Sequence, residues 1–156
     1  MIRLLRKLGC DQRGNSFVEM AFITPILATL LVGAIDISDA VSMKVKTEQA
    51  AQRAIELAQT ASYSTASAMT TAVQNEATTA AGTGSTATAS AWAECDHSST
   101  HVDYDTGTCS TGQSYARYVS VTVQNSFTPM FGTSLFPGAN ADGTVTVKGY
   151  SALRLQ

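Results

Sequence analysis

The chain has 156 residues, 14% of them charged and 44% hydrophobic, with a formal net charge of −2. So few charges are unusual for a soluble domain, where about 25% is ordinary. Residues 1–14 carry Arg3, Arg6, Lys7 and Arg13 against Asp11, and the rest holds six basic and eleven acidic groups. With no basic face downstream, a nucleic acid partner is excluded as an expectation.

After the basic lead-in comes "DQRGNSFVEMAFITPILATLLVGAID", Asp11 to Asp36. Phe17 to Ile35 holds a single charge, Glu19. As a helix this run spans roughly 28 Å, close to the hydrocarbon thickness of a bilayer. Basic residues before it, and Asp36 and Asp39 after it, predict a cytoplasmic N-terminus and an external C-terminal domain. A buried helix of a soluble protein is the first alternative. A cleaved signal peptide ending at Val32-Gly33-Ala34 is the second, although the apolar run exceeds the usual length and Glu19 interrupts it.

A carboxylate within a bilayer is costly, so Glu19 needs a shallow depth or a cationic partner. It lies in the first turn of the apolar run, where it can also favour the helix N-terminus. Pro25 removes one backbone hydrogen bond, the one to the carbonyl of Ala21, and predicts a kink with local loosening or a mild bend with no role.

The helical pattern continues to about Thr60, with neither Pro nor Gly between Ala34 and Ala81. Ile37, Val41 and Val45, resumed by Ala51, Ala54, Ile55 and Ala58, form an apolar stripe expected to pack on the domain's own sheet. Asp36, Asp39, Lys44, Lys46, Glu48 and Arg53 are expected to face water. From Thr60 to Ala93 the chain is mostly Ala, Ser and Thr. A second helix is expected over Ala66 to Ala81, with disorder as the alternative. "GTGSTATAS" then turns into a strand near Thr88 to Glu94, carrying Trp92. Tyr115 to Asn125 and Gly143 to Gln156 alternate apolar and polar residues, as half-buried strands do.

Cys10 lies in the leader. Cys95 and Cys109 lie outside the membrane in this topology, where a disulfide is the default, worth about 3 kcal/mol in the chain-entropy model. It would close loop 95–109. Two metal alternatives stay open for that loop: zinc on Cys95, His97, His101 and Cys109, or calcium on Asp96, Asp103 and Asp105. Neither spacing fits an established motif, so no metal and no cofactor is expected. No nucleophile elbow, zinc-protease helix or phosphate-cradling loop is present, and the expectation is that the protein is not an enzyme.

A basic leader ending at Gly14, then Asn15 and, four residues on, Glu19 at the head of an apolar helix resembles the processing site of type IV pilins and pseudopilins. The stretch "GNSFVEMAFITPILATLLVGAIDIS" is more narrowly similar to the start of the TadE/TadG-like pseudopilins of tight-adherence (Flp) pili. "VSVTVQNSFTPMFG" and "GTVTVKGYSALRLQ" resemble that family's later strand and Phe-Thr-Pro turn and its closing strand. Asn15 as the new N-terminus, and Met20 after Glu19, depart from the major pilins, so the resemblance implies a minor pseudopilin.

The family's pattern implies cleavage between Gly14 and Asn15 by a prepilin peptidase, with Glu19 pairing the new α-amine and setting register. Its implied partners are that peptidase, other pilin or pseudopilin subunits, the assembly machinery and the inner membrane. The expected fold is α+β: a long N-terminal helix packed on a small antiparallel sheet. Residues 1–14 form the leader, 15–36 the transmembrane and assembly helix, and 37–156 the periplasmic domain. An uncleaved, membrane-anchored periplasmic adaptor that binds a partner through its C-terminal domain is the alternative.

Overall fold

The structure, a computed structural model, describes residues 15–96, 98, 100–130, 132, 136 and 138–155. The leader, and with it Gly14, lies outside them, as do His97 and Gln156. The fold is α+β: a long helix, a second helix and a four-stranded antiparallel sheet. The chain divides into two units, residues 1–38 and 39–156.

Helix α1 runs from Asn15 to Thr60 and passes through Pro25. In the first unit, the large apolar side chains from Phe17 to Leu31 are exposed. The hydroxyls of Thr24 and Thr29 donate back to the carbonyls of Met20 and Ile26, at 2.7 and 2.8 Å. These two hydroxyls are thus satisfied within the helix itself, as an apolar solvent would require.

In the second unit, helix α2 covers Ala66–Ala81. It starts where Thr65, in extended conformation, accepts from the Ala68 N–H, and ends at Gly82, whose φ of 92° suits only glycine. The strands are β1 (Thr86–Cys95), β2 (His101–Val102), β3 (Tyr115–Phe127) and β4 (Val145–Arg154), in the order β2-β1-β3-β4. Registers such as Ala91 opposite Val119, and Val121 opposite Ser151, set the inner rows. Alternation puts Ala87, Ala89, Ala91 and Ala93 of β1 with Val119, Val121 and Val123 of β3 on the inner face. Thr86, Thr88, Ser90 and Trp92 lie on the outer face.

The core joins those strands to Ala50, Ala51, Ala54, Ile55 and Ala58 of α1 and to Met69, Val73, Ala77 and Ala81 of α2. Alanine dominates the helical side, so backbones approach closely and the seam depends on shape more than on large apolar area. Helix and sheet approach closely at β4, where a Cβ on Gly149 would meet the Thr47 carbonyl carbon at 2.6 Å and the Glu48 nitrogen at 2.8 Å. Lys44 Nζ donates to the Lys148 carbonyl across the same seam, and Arg53 pairs with Glu76 of α2 at 2.7 Å.

Two sequence expectations need correction. Ile37, Val41 and Val45 are 62%, 57% and 45% exposed. The later part of the expected stripe, Ala51, Ala54, Ile55 and Ala58, is buried, and Thr47 and Ala50 complete that face. The small side chains of Ala50, Ala51, Ala54 and Ala58 let helix and sheet approach closely on this face. Asp36, expected to face water, is buried at 3% exposure.

Candidate functional site

The residues singled out in the sequence fall into two groups. The first belongs to α1. Helical conformation holds from Asn15, which puts Glu19 one turn further along, about 6 Å in rise. Residues four apart are neighbours on a helix face, so a positive group at position 15 has Glu19 within reach. Glu19 itself is exposed. Pro25 sits inside the helix, in the middle of the exposed apolar surface. The helix is long and apolar enough to cross a membrane and fits a single-pass anchor.

The second group is the loop between β1 and β3. Cys95 and Cys109 are joined by a disulfide, with their Cα atoms 5.6 Å apart. Both thiols are therefore consumed, which removes them from the zinc set considered above. The acids of the loop have structural uses. Asp96 Oδ1 accepts from the N–H and hydroxyl of Ser114, at 2.7 and 3.1 Å. Asp103 Oδ1 accepts the N–H groups of Asp105 and Thr106 and the Thr106 hydroxyl, at 3.0, 2.7 and 2.7 Å. The Thr106 hydroxyl and backbone bonds hold the Asp103 carboxyl below its ordinary value. Asp105 reaches out of the loop to the backbone N–H of Ala66, the first residue of α2. Among the described residues no group of three or more metal-ligating side chains comes together.

The structure also assembles a cluster that the sequence reading missed. Arg117 continues the inner row of β3, one step beyond Val119. Its guanidinium lies over the ring of Tyr104 at 4.9 Å and that of Tyr115 at 5.3 Å. Its Nε donates to the Tyr115 hydroxyl at 3.3 Å, and that hydroxyl donates to the Tyr104 carbonyl at 3.2 Å. The bond to Tyr115 raises the Arg117 pKa above its ordinary value, against the desolvation that lowers it. A recess of about 480 Å³ opens beside this cluster, where α1 ends. The available sequence signal was a charge on an otherwise apolar alternating face.

On the outer face Trp92 stacks against His101 (4.9 Å) and Tyr118 (5.7 Å). Its indole N–H donates to Glu94 Oε1 at 2.9 Å, and His101 Nε2 lies 3.4 Å from the same oxygen. The rings cover one another's faces, so this is a cross-strand brace for the short β2.

A family model described as TadE-like protein matches residues 14–56. This segment is TadE-like. The match takes in Gly14, Asn15, Glu19 and Pro25 and most of α1, and it stops before α2, the sheet and the disulfide loop. Comparison with curated proteins gives no match, and comparison with solved structures gives none.

Proposed function

We propose that the chain is a pseudopilin-like structural component of a tight-adherence (Flp-type) pilus and has no catalytic role. It is inserted in the bacterial inner membrane with its N-terminus in the cytoplasm and residues 37–156 in the periplasm. Prepilin peptidase removes residues 1–14 by cutting between Gly14 and Asn15. One observation carries this reading: the TadE-like match coincides with a helix whose large apolar side chains are exposed and whose first turn joins Asn15 to Glu19.

Cleavage creates an ammonium at Asn15 one turn from the Glu19 carboxylate. At the membrane boundary the two charges neutralise one another, within one subunit or between neighbours. A charge left alone in apolar surroundings is expensive, so the pairing also sets the axial register of packed helices. The exposed side of α1 then exchanges lipid for other pilin or pseudopilin helices.

The N-terminal residue of the membrane-extracted protein tests this, read by mass spectrometry from cells with and without prepilin peptidase. A peptidase-dependent start at Asn15 is the expected result. A start at Met1 in both strains overturns the processing step and leaves a membrane-anchored adaptor, a reading favoured by the recess beside Arg117.

A further inference from the structure

We propose that the recess where α1 ends is a receptor for a small carboxylate, with Arg117 as its anchor. The site lies within the second unit, near Ala58, about 28 Å along α1 from Asp39 at 1.5 Å per residue. It stands whatever the fate of residues 1–14.

Arg117 occupies the inner row of β3, in line with the buried Val119, Val121 and Val123. That row faces inward, but the guanidinium itself is open to solvent beside the recess. The ion pairs among the described residues are Lys44–Glu48, Arg53–Glu76 and His101–Glu94, and none includes Arg117. The Tyr104 and Tyr115 rings hold its plane, and Nε is taken by the Tyr115 hydroxyl. Its two terminal nitrogens donate to no described residue. A guanidinium fixed by aromatic rings with its outer fork open matches the geometry of a carboxylate.

The recess defines the rest of the ligand. Tyr63, Met69, Ala61 and Leu155 line it beside Arg117 and Tyr104. Its 480 Å³ falls within the ~300–1,000 Å³ typical of small-molecule sites. Gln59 also lines it, and the surface left open to the recess is more polar than apolar, so the charged end of a ligand is the part recognised. The charge balance selects against phosphate: one arginine faces the recess, and Asp105 lies close enough to act on its charge. A dianion would find one cation and a neighbouring acid, whereas a monoanionic carboxylate is matched by the single fork. The same chemistry is offered by a free short carboxylic acid and by the terminal residue of a polypeptide.

The full chain in detergent micelles, labelled with 15N, provides the test through the Nε–H resonance of Arg117. The probes are N-acetyl-leucine, 3-phenylpropanoate, N-acetyl-leucinamide, inorganic phosphate and a tetrapeptide ending in leucine. Saturable shifts with the two carboxylates, and none with the amide, are expected. In the two Arg117 variants binding is read from the backbone amides of Tyr63 and Tyr104: Arg117→Gln weakens it at least about tenfold, since a charged hydrogen bond is lost, and Arg117→Lys, which keeps charge without the fork, falls between. Ala61→Trp fills the recess and blocks binding while the Arg117 resonance persists, separating lost binding from lost folding. Tighter binding of the tetrapeptide than of N-acetyl-leucine identifies a chain end, and its exclusion identifies a free acid. Equal response to acid and amide, preference for phosphate, or no response to any carboxylate overturns the proposal.

Discussion

The carboxylate of Asp105 accepts the backbone N–H of Ala66 at 2.9 and 3.1 Å, across 39 residues of sequence. A loop side chain therefore satisfies an orphan donor at the start of α2, beside the local cap supplied by Thr65. It also places negative charge at the positive end of the helix. Asp105→Ala is expected to destabilise the domain by about 1 kcal/mol. Urea unfolding followed by circular dichroism measures this, and an unchanged midpoint would refute the capping role.

Because the disulfide bounds the loop that carries Asp105, the two features are coupled. Replacing Cys95 and Cys109 together by Ala removes a crosslink between residues 14 apart, worth about 3 kcal/mol. Adding Asp105→Ala to that variant should cost clearly less than in the crosslinked protein, because the freed loop no longer presents its carboxylate. A double-mutant cycle reads the difference, and strict additivity would show that the loop holds its place without the bond.

Gly149 is predicted to tolerate nothing larger. Ala at this position drives its Cβ into the Thr47 carbonyl and the Glu48 nitrogen of α1. Both obstacles are backbone, which cannot swing aside as a side chain can. We expect a loss of about 2 kcal/mol or more, in the range of overpacked cores, read as a lower midpoint in chemical denaturation.

The loop has an acid limit. The Asp103 carboxyl is held below its ordinary value of 3.8, first by the hydroxyl and then by the N–H of Thr106. A depressed carboxyl contributes its stabilisation above the unfolded value and loses it as pH falls through the folded one. Asp103 is fully exposed, so the effect is local. Thr106 amide protection, followed by NMR from about pH 5 to about pH 2, should persist through 3.8 and fall below it. Asp103→Asn should remove the acid step.

Small and large residues of α1 should respond in opposite ways to substitution. Val41→Ser and Val45→Ser, on its exposed side, should shift stability by no more than about 0.5 kcal/mol. Ala54→Leu, in the closed seam, should cost about 1–3 kcal/mol. Thermal unfolding of the three variants checks the assignment of faces, and a costly Val41→Ser would reverse it.

The comparison with the sequence turns on this same helix. Alternation of Val119, Val121 and Val123 with Ser120, Thr122 and Gln124 was enough to place β3, and helix propensity over Ala66 to Ala81 was enough to place α2. The start of β1 at Thr86 was blurred because its inner row is alanine, which a hydrophobicity pattern scarcely registers. The stripe on α1 was right over Ala51, Ala54, Ile55 and Ala58 and wrong over Ile37, Val41 and Val45, which score as core by hydrophobicity yet lie exposed. Cys95 and Cys109 could be paired from compartment alone. The cluster of Tyr104, Tyr115 and Arg117 could not, since it depends on the path of the loop and the register of β3. The two-residue β2 carried no readable pattern; it follows from Trp92 stacking on His101.

The contact between Thr47 and Gly149 has a mechanical consequence. With no side chain at Gly149 to act as a cushion, an axial pull on α1 reaches β4 directly as shear. Strands and helix are then loaded side by side, so many weak contacts share the strain at once. Residues 39–60 of α1 and the sheet should therefore move as one stiff body, and a pull on that part of the helix should unfold the two together rather than peel one from the other.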